Sequence, residues 1–388
     1  MLVARVTDPA GSPRRPLSLG KKLGFLLAPL LLCLGLGELL ARALSSPPAP
    51  LYLDHPYLRR VRAPGSSHEL ICPPGSGLDG QRFLLRVDEH GFRARGLEPP
   101  GTPKPAGTYR IFFVGASAVE NVAVPDEKTF EALVEAELNA KLGGAPRVVA
   151  VNAGLSGNVV ADTVSLVLHR VLALEPDLIV VMDGLNDMIQ STSGRFDPTH
   201  GAEAAAPRAP RPGEVLRGWS RLADLTARAL DRVGAEDRYA RWRRRRREQP
   251  FTPGADPTRG LPYWRRYLGL LSASCAEARV PLAFMTHPCL WRPDLSPRED
   301  EALWMGWVAH GELNLDTPTL LRGLEAWNGA LREHAAARGD LLIDLAGAVP
   351  RDLDHFYDDC HFTARGNEVA ARAIVAALLQ SGRLPERR

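Results

Sequence analysis

Cysteine is scarce in this chain: Cys33, Cys72, Cys275, Cys289 and Cys360 are the only five among 388 residues, and no two stand in a C-x-x-C pair. That excludes a disulfide framework and the usual zinc spacings. Isolated thiols are expected, with Cys275 and Cys289 the one pair that an oxidising compartment would allow to bridge. Charge of one sign is lacking too: 48 Lys and Arg oppose 45 Asp and Glu, a net charge of +3 that points to no particular partner. A G-x-S-x-G elbow around Ser117 is missing, because Val119 holds the place of the last glycine. What is present is ordinary globular material, 45% hydrophobic and 24% charged, which excludes wholesale disorder. The length suggests two or three domains.

Residues 1–22 form a basic, proline-rich leader in which Arg5, Arg14, Arg15, Lys21 and Lys22 face one acid, Asp8. Leu23 to Gly37 then carry no charge, and Glu38 and Arg42 follow at i,i+4 spacing. Fifteen helical residues reach about 22 Å, short of a ~30 Å hydrocarbon core. Continuing to Leu44 closes the gap if Glu38 and Arg42 stand at the far interface. The expectation is a single-pass signal anchor over 23–44, its basic side cytoplasmic and the remainder of the chain exported. Cleavage at Ala41-Arg42-Ala43, giving a secreted protein, is the alternative, and a buried amphipathic helix is the third.

Ser45 to Pro50 is a proline-rich linker, and 45–107 reads as linker plus a small β-rich region whose best strand is Arg82 to Val87. From Tyr109 the pattern alternates. Apolar strands are expected at Ile111–Val114, Arg147–Val151, Asp177–Met182, Pro281–Thr286 and Leu341–Asp344. Helices are expected at Phe130–Leu142, Val160–Leu174 and Ala364–Leu379, the last capped by Thr363. Strands separated by helices predict an α/β doubly wound parallel sheet over 108–380. Between about 188 and 260 the rhythm breaks into an insertion, read as a cover over one edge of the site. It ends in Arg238–Arg247, seven arginines in ten residues. A nucleic-acid partner is not expected, given the near-neutral chain and the export signal. A solvated helix face or contact with anionic lipid is expected instead.

Four strand ends or loops carry polar groups. Ser117 follows the first strand, Gly154 the second and Asn186 the third, while Tyr357-Asp358-Asp359-Cys360-His361 precedes the last helix. A nucleophilic serine needs a base, which His361 supplies, and the imidazole needs a carboxylate on its other nitrogen, which Asp358 supplies from three residues away. The oxyanion needs donors: the N–H groups of Ser117 and Gly154 and the Asn186 amide. Taken singly, each has a bland reading as turn residue, helix cap or turn glycine. His355, Asp358, Asp359, Cys360 and His361 match no standard zinc pattern, and His287 reads as structural.

The ordered blocks Gly115-Ala-Ser117, Asn152-Ala-Gly154-Leu-Ser-Gly157, Gly184-Leu-Asn186-Asp187 and Asp358-Asp-Cys-His361 resemble the SGNH, or GDSL-type, hydrolases. The resemblance spans about Tyr109 to Leu379. It implies a three-layer flavodoxin-like fold and ester or acyl-transfer chemistry without metal or other cofactor. Ala116 replaces the aspartate of the G-D-S form, and Glu120-Asn121 stands where many members have glycine. The expected activity is hydrolysis, through an acyl-enzyme, of an extracytoplasmic ester such as an acylated glycan or lipid. Polysaccharide O-acyl transfer and a catalytically silent glycan-binding role are the alternatives.

Overall fold

A computed structural model describes residues 18–46, 50–93, 96–194, 196–198, 212–234, 238–308 and 313–384. Most of the basic leader, the centre of the proline-rich linker and the Ala/Pro-rich start of the insertion lie outside the described residues. The chain forms two compact units, one of Met1–Pro48 with Arg208–Ala235, the other of Ala49–Pro207 with Glu236–Arg388. The insertion is therefore divided between them.

In the larger unit five parallel strands, β1 (Thr108–Gly115), β2 (Arg147–Asn152), β3 (Leu178–Met182), β4 (Leu282–Met285) and β5 (Leu341–Ile343), pair in the order β5-β4-β3-β1-β2. Register runs from Ile111 opposite Leu178 on one side of β1 to Phe113 opposite Asn152 on the other. Ile111, Phe112, Phe113 and Val114 are all fully buried. Such unbroken burial requires helices on both faces of the sheet. Phe130–Leu142 packs with Ala364–Gln380, and Val160–Leu166, Leu261–Glu277 and Thr317–Arg338 form a second packed group. This is the three-layer α/β/α arrangement, with the flavodoxin-type strand order and its crevice beyond the strand ends beside β1.

Local chemistry sets the helix limits. Thr129 accepts from Ala132 N at the start of Phe130–Leu142, and Gly143 closes it in the left-handed conformation. Thr363 likewise accepts from Gly366 N. The segment expected as one helix, Val160–Leu174, instead runs α-helical to Leu166, widens into a π-turn at Val167–Val171 and tightens into a 3₁₀ turn at Leu172–Leu174. Val167 and Val171 are both fully buried within the wide turn.

Ahead of β1, Ser67–Ile71 and Arg82–Arg86 form an antiparallel hairpin with its own small core of Cys72, Phe83, Leu85 and Val87. Tyr52–Leu53 pairs with Val61–Arg62. All five cysteines are free thiols.

The smaller unit holds the helix Leu19–Leu44 together with Pro212–Trp219 and Arg221–Gly234. Leu19–Leu44 is long and apolar enough to cross a membrane, the one such helix among the described residues, with mean hydropathy 2.2 in its most apolar window. It begins four residues before the expected span and ends with it at Leu44.

Candidate active site

Ser117 opens the short helix Ser117–Glu120 directly after β1. The turn that presents it depends on Gly115, at φ +152°, where an added Cβ would stand 2.3 Å from Met182 O of the neighbouring strand. The Ser117 hydroxyl donates to His361 Nε2 at 2.8 Å. The two residues are 244 positions apart in sequence. On the far side of the ring, Nδ1 lies 2.9 and 2.8 Å from the two Asp358 oxygens and donates to the carboxylate. Asp358 is fully buried and accepts further bonds from the backbone N–H groups of Cys360 and His361 and from Trp304 Nε1 at 2.9 Å. Burial would push its pKa up, but His361 and these donors outweigh it and hold the carboxyl below its ordinary range. Burial would in turn lower the His361 pKa, and the Asp358 charge reverses the effect and raises it. Trp304 and Tyr357 lie nearly parallel to the imidazole, at 6.3 and 5.7 Å between ring centres.

Asp359 plays a different part from its neighbour. Its carboxylate accepts from Trp291 Nε1 and from the N–H groups of Trp304 and Met305, so it anchors the segment that delivers Trp304. Asp358, Cys360 and His361 place ligand-type atoms within 4.8 Å of one another. These atoms do not suit a cation: the Asp358 oxygens already hold three N–H donors and the imidazole, and burial drives the Cys360 thiol well above its usual range. His287 holds Asn328 and the Pro288 carbonyl, and burial lowers its pKa to about 4.

Asn186 lines the same cavity as Ser117 and His361, a space of about 430 Å³. Its amide nitrogen donates one hydrogen to Asn158 O at 2.9 Å and has a second to offer. Gly154 lies against the Ser117 helix, where a Cβ would come within 2.4 Å of Glu120 N. Its N–H reaches Asn152 Oδ1 at 3.2 Å, and Asn152 Nδ2 donates to Val119 O. Gly154 is not among the residues lining the cavity. Behind Asn186, Asp187 accepts from Val160 N, while Asp183 is buried with neither oxygen hydrogen-bonded. Burial raises Asp183 to about 7, and burial with the Asp183 charge raises Asp187 well above its ordinary value.

Sequence reasoning missed several parts of this surround. Glu120, treated only as a departure from a pattern, is fully buried and binds Arg62 at 3.0 Å, Tyr52 Oη at 2.6 Å and both N–H and hydroxyl of Ser156. Burial raises its pKa, but Arg62 and the hydroxyl donors more than reverse that. Arg62 also donates to Gly154 O at 2.7 Å, so one guanidinium joins the serine helix to the glycine loop. The arginine-rich helix Arg238–Glu248 carries Tyr239 and Trp242 into the cavity wall beside Trp304, with Trp242 and Trp304 centroids 4.7 Å apart. It is not a uniformly solvated face: Arg246 is buried against Thr317 and Asp300, and Arg243 donates to the carbonyls of Ala302 and Tyr357. Only the alternation of Tyr239 and Trp242 with the arginines hinted at a second face.

A family model described as the GDSL-like lipase/acylhydrolase family matches residues 113–369. No curated protein matches the chain significantly. Among solved structures, LAE5, an α/β hydrolase enzyme from the metagenome of Lake Arreo, Spain, is 19% identical with a TM-score of 0.41, over 72% of this chain and 97% of that one. Axe2, an acetylxylan esterase from Geobacillus stearothermophilus, is 15% identical with a TM-score of 0.43, over 71% and 94%. An acetyl xylan esterase, AlAXEase, is 14% identical with a TM-score of 0.40, over 69% and 99%.

Proposed function

The chain belongs to the GDSL-like lipase/acylhydrolase family and is an enzyme acting on ester bonds, and on that premise we propose that Ser117 is its nucleophile, His361 its base and Asp358 the carboxylate that orients the base. The observation that carries this reading is the unbroken chain of hydrogen bonds from Ser117 Oγ through His361 to buried Asp358, at the wall of a cavity of about 430 Å³. Ser117 Oγ attacks the ester carbonyl while its proton passes to His361 Nε2. The oxyanion is received by the N–H groups of Ser117 and Gly154 and the second amide hydrogen of Asn186. The long Gly154–Asn152 bond is the one that a full negative charge would displace. Collapse breaks the C–O bond, His361 returns its proton to the leaving alcohol, and water repeats the sequence to free the acid.

The leaving alcohol must lie on the His361 side, since that imidazole protonates it. Tyr239, Trp242 and Trp304 form that side, and flat aromatic faces suit the C–H face of a sugar ring, which favours an acylated glycan. We place this chemistry outside the cytoplasm, with Leu19–Leu44 as a single-pass anchor and the basic leader retained inside.

Fluorophosphonate labelling of the full chain tests the nucleophile. We expect labelling that Ser117→Ala abolishes, whereas no labelling of folded wild-type protein overturns the reading in favour of a silent glycan binder. Incubation with an acetylated glycan and a free glycan acceptor separates hydrolysis, which releases acetate, from O-acyl transfer, which moves it to the acceptor.

A further inference from the structure

The two charges that interrupt the apolar N-terminal helix are engaged within the smaller unit. The Glu38 carboxylate accepts from Ser220 Oγ at 2.8 Å and from the backbone N–H groups of Arg221 and Leu222, both at 2.9 Å. It thereby satisfies two of the free N–H groups that open the helix Arg221–Gly234. Arg42 bonds Glu38 at 2.6 Å and donates to Trp219 O at 2.6 Å, the last residue of Pro212–Trp219. Gly37 lets the Leu222 side chain close on the helix, a Cβ there standing 3.1 Å from it. The corner between the two insertion helices is thus clamped to one turn of Leu19–Leu44.

That turn has a definite depth if the helix spans a membrane. Lys22 and Arg42 are twenty residues apart, ~30 Å along a helix, which equals a hydrocarbon core. With Lys22 at the inner boundary, Arg42 stands at the outer one, and Trp219, whose carbonyl it holds, stands at the headgroup level. Pro212–Trp219 carries there an exposed apolar stripe at i, i+1 and i+4: Val215, Leu216 and Trp219, the last 81% exposed. In water such a stripe is a liability. At the boundary between headgroups and acyl chains, tryptophan and leucine on one helix face are the side chains that insert.

We propose that Pro212–Trp219, clamped by Glu38 and Arg42, lies in the outer interface of the bilayer as a second membrane contact, its occupant the lipid surface itself. The inference rests on reading Leu19–Leu44 as membrane-spanning. It also makes that helix a permanent part of the folded protein. Cleavage after Ala43 would remove Glu38 and Arg42 and leave the Arg221 and Leu222 N–H groups without their acceptor.

The test uses the full chain reconstituted into phosphatidylcholine–phosphatidylglycerol vesicles. Subtracting the emission of the Trp219→Phe variant from wild type isolates Trp219 among the seven tryptophans. Lipid brominated near the headgroup end of its chains is expected to quench that component by about half, and aqueous acrylamide to quench it weakly. Glu38→Ala, which releases the clamp, is expected to reverse the two. Vesicle-bound protein whose Trp219 is open to acrylamide and blind to brominated lipid overturns the interfacial contact alone. Protein that fails to float with the vesicles overturns the anchor reading and this inference with it.

Discussion

In the proposed mechanism, Ser117, Asp358 and Asn186 each have their own signature on removal. Ser117→Ala leaves only binding and oxyanion stabilisation, so kcat should fall by about 10⁴–10⁶-fold in an ester assay. Asp358→Asn keeps the shape but loses the charge that holds the imidazole, at a cost of about 10³–10⁴-fold in kcat. The pH profile adds a sign. The base must be unprotonated, and Asp358 raises the His361 pKa against the pull of burial. Wild-type kcat/KM should therefore climb with pH through a midpoint above the ordinary imidazole value of about 6.5. Asp358→Asn should move that midpoint to lower pH. Asn186→Ala removes one proposed oxyanion donor and should lower kcat by about 10²–10³-fold with KM little changed. Ser117, Asn186, Asp358 and His361 could be named as candidates from the sequence because they stand at strand ends and before a helix, places set by local pattern, and the structure brings Ser117, Asn186 and His361 to one cavity with Asp358 behind the imidazole. The Gly154 N–H was legible only as a candidate, since its place against the Ser117 helix, where a Cβ would come within 2.4 Å of Glu120 N, depends on how two loops meet.

At the scale of elements, the buried Glu120–Arg62 pair ties the serine helix to the glycine loop. Glu120→Ala would leave a guanidinium buried without its counter-charge, at about 3–5 kcal/mol of stability. A lowered thermal midpoint with reduced kcat checks this; an unchanged midpoint would show that the pair holds nothing in place. The helix Arg238–Glu248 shows how composition misleads. Seven arginines suggested solvent or lipid, yet its Tyr239 and Trp242 form cavity wall and its Arg246 is buried. Trp242→Ala should lower kcat/KM for an acetylated oligosaccharide about tenfold more than for a small aryl acetate, as expected for an aromatic contact of about 1–1.5 kcal/mol. Strand positions were readable to within a few residues because burial on both faces demands an unbroken apolar run. The π-turn at Val167–Val171 was not, because side-chain period alone does not report a local change of helical pitch.

For the molecule as a whole, acid groups that fold without charge govern the response to alkali. Glu131 is fully buried, and burial, only partly offset by a backbone N–H and by Arg93, raises its pKa to about 8. Between its ordinary value near 4.5 and about 8 the folded state holds a proton that the unfolded state has lost, so stability declines as pH rises through that window. Asp183, raised to about 7, adds a slope of the same sign. Glu131→Gln should raise the thermal midpoint at pH 9 and leave it nearly unchanged at pH 4, where the wild-type carboxyl is mostly protonated in both states. Equal midpoints at pH 9 would show that Glu131 finds a charged partner on folding.

The order of strands and helices, the serine turn, the Asp358–His361 pair and the apolar N-terminal helix follow from the sequence by itself, because each rests on residues within one turn or one strand of each other. The distance from Ser117 to His361, the Arg62 bridge, the aromatic wall and the Glu38 clamp were decided only in three dimensions. Each joins segments tens to hundreds of residues apart, and such meetings are set by packing of the assembled layers, which no local pattern records.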